Sequence, residues 1–483
     1  IIHGIRVRVF TNSEHLYDFW LENWFSPDEW VSRTNVPIDG EPQVLVCALI
    51  GVEGQDEVAF YNRATNEVFF FNTSYYGQLK SWTLGAVGRI LAEEYGIHSI
   101  HGACVAINGS GILYIAPTGT GKTTSSYGLT IFPNTRFHSD DWVYVRYAYP
   151  RKSDGKYFAP YRITTRDGTS VRGYQVFGWI KDHGIANADA DVDAIGLDNE
   201  KIRMKLRELN HVLKPEAFAY ISEKKFYLRT NIVESFPYAF PEMICSKAEN
   251  VPMVTDSYLR MASHVIDNIL SDLLTSEDPR VHETIDKTGL GELKLKAARF
   301  IAFDNARAIL DQSHAFMPHK VVTNPLEPVR IDAVILIKRD FNTDEVLVEL
   351  DNQKFVERLL KGETPDGRWE IAYNDYRAVD DEEEKAYLKR IFEKAKSTGS
   401  SVYEQFEEDR QNRPDTLDQE FELFEVLYEA ADCYDLNTIL QMTGASKKDA
   451  VGRTVDIIRE VFSKWHKGVK LKLEHFAKVP SSY

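Results

Sequence analysis

The 483-residue chain is 43% apolar and 12% aromatic, the composition of a globular protein rather than a disordered, fibrous or repeat-built one, and its length implies two or three domains because single cores stop growing near about 250–300 residues. A formal net charge of −16 argues against nonspecific nucleic-acid binding, which draws its affinity from Lys and Arg set against phosphates, but leaves room for a local basic pocket. The four cysteines, Cys47, Cys104, Cys245 and Cys433, fall in no CxxC or metal-ligand spacing. Neither a disulfide framework nor a zinc site is therefore expected, and a reducing, cytoplasmic setting is. No apolar run of about 18 residues occurs, and no basic stretch followed by an apolar one opens the sequence, so neither a membrane span nor an export signal is expected.

Residues 1–97 carry short segments such as "QVLVCALIGV" and "EVAFYNRATNEVFFFN", whose β-branched and aromatic residues between turn formers predict a β-rich N-terminal domain. From Gly77 to Tyr95, helical spacing of Leu79, Trp82, Leu84, Val87, Ile90 and Leu91 predicts an amphipathic helix with Glu93 and Glu94 toward solvent. Next, "ACVAI" and "ILYIA" read as two strands joined at Asn108-Gly109-Ser110-Gly111, a hairpin signal. A strand follows at Trp142–Tyr147, and later runs such as "FYLRTNIV" and "DAVILIKRD" complete a mixed sheet flanked by helices over residues 98–375. After Tyr376 an acidic run, Asp380 to Glu384, opens amphipathic helices with Tyr387, Leu388, Ile391, Phe392 and Ala395 on one stripe. Residues 376–483 are read as a helical domain, the charge run being a solvated helix start.

"APTGTGKT", Ala116 to Thr123, matches the GxxxxGK[ST] phosphate loop with Ala116 in place of the first glycine. Gly119 and Gly121 allow backbone conformations that turn successive N–H groups toward phosphate oxygens, and the following helix adds its N-terminus. Pro117, Thr118, Gly119, Thr120, Gly121, Lys122, Thr123 and Thr124 are thus the expected nucleotide-binding residues, Lys122 reaching the β and γ phosphates and the Thr123 hydroxyl meeting magnesium. A buried strand before and a helix after the loop, the context this motif needs, are both expected; the alternative is a glycine-rich turn with an accidental Gly-Lys-Thr. ATP and Mg²⁺ are the expected ligands.

Phosphoryl transfer needs a carboxylate at the magnesium and often a second one to accept the proton of the attacking hydroxyl. Asp140 and Asp141, at the start of a strand, can divide these tasks, or can be solvated turn residues. His101 lies at the beginning of the strand that pairs with the loop-bearing strand, where it is either near the phosphates or a hydrogen-bonded structural residue; Cys104 beside it reads as core. Arg162, Arg166 and Arg229 are possible contacts to phosphate or an acidic substrate, since guanidinium forks suit such groups, or else surface ion pairs.

The order of these pieces, "HGACVAINGSGILYIAPTGTGKTTSS" followed by "FHSDDWVYV", resembles the HPr kinase and phosphoenolpyruvate carboxykinase superfamily. The sharpest match spans residues 98–147, and a weaker likeness extends over residues 330–363. The resemblance implies an α/β fold with a mixed-sheet P-loop core distinct from ordinary Walker ATPases, with His101 and the aspartate pair in the site. In one branch the first aspartate acts on the attacking hydroxyl; in the other the equivalents of His101 and the second aspartate hold a transition metal. Carried over, Asp140 becomes the candidate base, Asp141 a candidate metal ligand with Thr123, and His101, Lys122 and Arg229 the other candidate catalytic groups. The implied function is an ATP-dependent kinase acting on a hydroxyl of a small molecule or a peptide serine. A carboxykinase-like lyase and a non-catalytic ATP-binding switch are the alternatives. Neither the segment that contacts protein substrates in HPr kinases nor an oxaloacetate-binding set is found, so the hydroxyl-bearing acceptor stays unidentified. A homo-oligomer is possible.

Overall fold

A computed structural model of the protein describes residues 1–117, 120–150, 154–164, 170–177, 214–236, 239–315, 318–361, 381–464 and 468–476. The expected hairpin is present: Ile97–Ile107 and Ser110–Ile115 pair antiparallel. Its turn residues, Asn108 at φ 52° and Gly109 at φ 86°, both take left-handed conformations, as a two-residue type I′ turn requires.

This hairpin lies inside a mixed, eleven-stranded sheet. Its main path runs Ser170–Phe177, Tyr157–Thr164, Trp142–Pro150, Ile97–Ile107, Ser110–Ile115, Val329–Lys338, Asp432–Asn437, Glu345–Glu349, Lys470–Lys472. Val329–Lys338 is parallel to both the loop-bearing strand Ser110–Ile115 and Asp432–Asn437. Glu216–Ile221 pairs with Trp142–Pro150 on one side and with the start of Val329–Lys338 on the other, so these pairings close a ring and curl that end of the sheet. Thr135–Ser139 caps the outer part of Ile97–Ile107.

Alternation along the strands divides the interior into two layers. Ala103, Val105, Ile112, Tyr114, Ile335 and Ile337 face a core closed by the helices Lys122–Leu129, Ser263–Leu274, Leu290–Ile301 and Lys447–Lys464. Cys104, Leu113, Ile115, Val334 and Leu336 face the opposite core, under the helices Asn352–Lys361, Asp381–Thr398 and Asp415–Ala430. Tyr387, Leu388, Ile391 and Ala395 bury the stripe read from the sequence, with Phe392 packed at its edge. No helix among the described residues is long and apolar enough to cross a membrane.

The N-terminal residues form a separate four-stranded sheet, ordered Val7–Thr11, Val44–Leu49, Glu67–Phe71, Val58–Asn62. The helix Tyr76–Tyr95 ties it to the main sheet. Leu79, Leu84, Val87 and Leu91 share one buried cluster with Val46 and Phe70 on one side and Trp142, Tyr144 and Phe218 on the other. Glu93 is more covered than its place in the sequence suggests, because Arg89 and Arg63 hold its carboxylate.

Residues 376–483 are not helical throughout. Asp432–Asn437 is an interior strand of the main sheet, between Val329–Lys338 and Glu345–Glu349. Two aspartates in "DCYDLN" hide this strand from a hydropathy reading. Asp435 is tolerated there because Lys338 Nζ lies 2.6 Å and Arg358 3.4 Å from its carboxylate oxygens, while Cys433 and Tyr434 face opposite cores.

Gly102 sits where the strands come closest: a Cβ there would lie 2.7 Å from the Tyr114 carbonyl oxygen, which belongs to the backbone and cannot yield cheaply. Gly102→Ala is therefore expected to lower the unfolding free energy by about 1–3 kcal/mol, the usual cost of overpacking, read as a lower urea midpoint at unchanged slope. An unchanged midpoint would show that the hairpin and its turn shift easily.

Candidate active site

The strand Ser110–Ile115, buried after its first residue, delivers Ala116 and Pro117 to the mouth of a cavity of about 460 Å³. Thr118 and Gly119 lie outside the described residues. Beyond them the Thr120 hydroxyl donates to the Pro117 carbonyl at 2.8 Å, closing the loop on itself. Thr120 in turn offers its carbonyl to the Thr438 hydroxyl at 2.9 Å. Gly121, at φ 108°, starts the helix Lys122–Leu129. A Cβ at Gly121 would meet only Thr438 Cγ2 at 3.7 Å, so the backbone angle rather than lack of space demands glycine. No side chain caps this helix, which leaves its first-turn amides and the positive end of its dipole toward the cavity. Pro117, Thr120, Gly121, Lys122, Thr123 and Thr124 all line it.

Asp140 and Asp141 occupy the break between Thr135–Ser139 and Trp142–Pro150, two strands that pair with the same partner, Ile97–Ile107. Trp142 N donates to the Asp140 carbonyl at 2.8 Å and Gly102 N to the Asp141 carbonyl at 3.1 Å. Asp141 is held at φ 67°, a left-handed conformation that costs a non-glycine residue on the order of 1 kcal/mol. The break turns the two carboxylates to different partners. Asp140 accepts the Thr123 hydroxyl at 3.2 Å. Asp141 meets His101 Nε2 at 3.4 Å and Lys80 Nζ at 2.7 Å. His101 is not at the beginning of its strand, as the sequence suggests, but at the residue opposite Trp142 where that strand exchanges one partner for the next.

Lys80 was not singled out by the sequence, and it is central. Its ammonium lies between Asp141 and Glu223, 2.8 Å from the latter, with the Lys80 side chain 2% exposed and the Glu223 side chain 0%. Asn23 donates to the other Glu223 oxygen at 2.9 Å, and Tyr76 OH donates to Asn23 Oδ1 at 2.6 Å. A buried polar chain thus runs from the helix Glu14–Asn23 to the aspartate pair. The available signal was a lysine among the buried residues Tyr76, Leu79, Thr83 and Leu84 of one helix.

Burial raises the Asp140 carboxyl to about 6, against the pull of Lys122 and with the push of Asp141. Burial alone would also raise Asp141, but Lys80, then His101 and Lys122, hold it well below the usual carboxylate range. Burial opposes the charge on Lys80, yet Asp141 and Glu223 more than offset it and leave the ammonium at about 12. Glu223 is pushed up to about 7 by burial despite Lys80. Two adjacent aspartates therefore have opposite proton affinities, the arrangement that separates an acid or base from a fixed charge.

The remaining wall comes from afar. Tyr227, Arg229 and Arg307 belong to the three-stranded sheet of Phe226–Arg229, Arg307–Leu310 and Ala248–Glu249, and Arg339, Thr438 and Gln441 to the C-terminal part of the main sheet and its loops. Lys80, Lys122, Arg229, Arg307 and Arg339 face this space against Asp140, Asp141 and Asp304, so an acidic protein carries a locally cationic cavity. Of the three arginines named from sequence, Arg229 lines the cavity. Arg162 lies 3.9 and 3.8 Å from Glu93 and Glu94, outside its lining, and Arg166 falls outside the described residues. Hard oxygen donors suit magnesium, and the Thr123 hydroxyl beside the Asp140 carboxylate fits that requirement. Among the described residues no group of three or more His, Cys, Asp or Glu side chains is placed to hold a metal by itself.

The raised Asp140 carboxyl has a stability consequence. Because its folded value, about 6, exceeds the ordinary 3.8, its contribution is full below about pH 4 and is lost as pH rises through 6. Asp140→Asn is expected to raise the melting temperature at pH 8, by the equivalent of on the order of 3 kcal/mol, with the gain vanishing near pH 4. A variant less stable than the parent at pH 8 would contradict the assignment.

A scan against protein-family models matches no family, and a search of curated proteins finds no similar sequence.

Proposed function

We propose that the chain binds ATP with magnesium at the loop from Ala116 to Thr124 and transfers the γ-phosphoryl group to a hydroxyl of another molecule. The observation that carries this reading is the meeting of an uncapped helix start, Lys122, Thr123 and Asp140 on one wall of a cationic cavity. The resemblance of residues 98–147 to the HPr kinase and phosphoenolpyruvate carboxykinase superfamily points the same way.

In this reading the helix amides and Lys122 bind the phosphates and neutralise their charge, which is the larger part of what phosphoryl transfer asks of a protein. The Thr123 hydroxyl, beside the Asp140 carboxylate, would hold magnesium, which would supply positive charge against the charge developing on the phosphates. Asp140, on the same hydroxyl, accepts the proton of the attacking group; its carboxyl at about 6 is ionised at neutral pH yet basic enough to take a proton. Asp141 remains a candidate metal ligand under one constraint: a cation arriving there competes with the Lys80 ammonium. His101 fixes Asp141 through its 3.4 Å contact and is a positioning residue unless a metal recruits both.

Removing the Lys122 ammonium deletes a charge-assisted contact worth about 1.5–3 kcal/mol. Lys122→Ala is expected to weaken Mg·ATP binding by about 10- to 100-fold without lowering the melting temperature, measured by displacement of a fluorescent ATP analogue. Parent-like affinity in the folded variant, or no saturable Mg·ATP binding by the parent, would overturn the reading.

A further inference from the structure

Across the cavity from the phosphate loop, the strands Phe226–Arg229 and Arg307–Leu310 pair antiparallel with Arg229 directly opposite Arg307. Leu228 and Ala308, the next pair, are buried in the core on the other face. Alternation therefore sends Tyr227, Arg229 and Arg307 to the cavity side, and all three line it. Like charges directly opposite one another destabilise a sheet. Among the described residues neither guanidinium has a carboxylate within ion-pair distance: Glu249, opposite Arg307 on its other side, is engaged by Tyr227 and His15, and Arg307 Nε donates to the neutral Asn305 Oδ1 at 3.3 Å. Asp304, which also lines the cavity, is exposed and accepts from Asn231 Nδ2 at 3.4 Å.

The pair is also oriented. The Arg307 guanidinium stands 5.6 Å from the centroid of the Tyr227 ring, and the Lys80 ammonium 5.4 Å from the same ring. Burial and the neighbouring Arg307 both work against the charge on Arg229, and Asp304 and Asp141 offset them only in part. Two guanidinium forks side by side match the oxygens of a phosphate or carboxylate. Lys122 and the helix amides already serve the other side of the cavity.

We infer that Arg229 and Arg307 form an oxyanion subsite for the molecule that receives the phosphoryl group, so that the acceptor is a small hydroxyl compound carrying a phosphate ester or a carboxylate. The assignment of this anion to an acceptor rests on the nucleotide reading given above. It narrows the acceptor from any alcohol to an anionic one and gives Arg229 a binding task instead of a share in the chemistry.

The test is calorimetric titration of methyl phosphate, and separately malonate, into protein saturated with magnesium and a non-hydrolysable ATP analogue. At least one anion should bind saturably, and whichever binds more tightly distinguishes a phosphate ester from a carboxylate. Arg229→Gln and Arg307→Gln should each weaken that binding at least about tenfold, the scale of one charge-assisted contact, while the analogue's Kd changes less than about twofold. Arg307→Lys, which keeps the charge and loses the fork, should fall between, and Lys225→Gln, outside the cavity lining, should change nothing. Since each glutamine relieves a repulsion, folding should survive. Anion binding that is absent in the parent, or that persists in both glutamine variants, overturns the subsite. A loss of analogue affinity with anion binding intact assigns the pair to the donor and overturns it too. If the analogue itself fails to bind, the nucleotide reading fails, and titration of methyl phosphate into Lys122→Ala with and without Arg307→Gln still decides whether the arginine pair holds an anion.

Discussion

Lys80 carries its ammonium into the interior between Asp141 and Glu223, and the geometry of the site depends on that contact. A lone ammonium there would lose its proton or stay in water. Two carboxylates keep it charged, at about 12, and it in turn keeps Asp141 ionised at a strained φ of 67°. Replacing either partner would leave a buried charge uncompensated, which is why such triads cost more to break than they contribute when formed. Because Glu223 is tied through Asn23 to Tyr76 and the helix Glu14–Asn23, the N-terminal residues are part of what positions the aspartates.

With Asp141 committed to Lys80 and His101, its neighbour is left as the responsive group. Asp140 shares the same break in the sheet but meets a hydroxyl instead of an ammonium, and burial beside an ionised carboxylate raises its carboxyl to about 6. One turn of backbone thus yields one carboxylate held ionised and one raised toward neutrality. The cationic groups that face the cavity come from the helix Tyr76–Tyr95, the helix Lys122–Leu129, the three-stranded sheet and the end of the strand Val329–Lys338.

Elements whose signals are local were legible in the sequence. Asn108 to Gly111 marked the hairpin, whose turn closes on Asn108 and Gly109 alone because these two accept left-handed conformations in succession, and the strand, glycine and helix around Lys122 followed from spacing. His101 and the aspartates came together because one strand pairs with both of their neighbours. Lys80, Glu223, Arg307 and Thr438 gave no such signal. Each is an ordinary polar residue until a partner from far along the chain arrives, as Thr438 does at Thr120 or Glu223 at Lys80. Asp432–Asn437 was hidden similarly: a strand containing two aspartates reads as surface until Lys338 is seen beside Asp435.

A crystal structure of the protein with magnesium and a non-hydrolysable ATP analogue decides whether the Lys122 helix start and Asp140 act on the phosphate end of one nucleotide. The β and γ phosphates are expected on the first-turn amides and the Lys122 ammonium, with the metal on the Thr123 hydroxyl beside Asp140. Phosphates bound elsewhere, or a γ phosphate turned away from Asp140 with Lys122 uninvolved, would contradict that assignment.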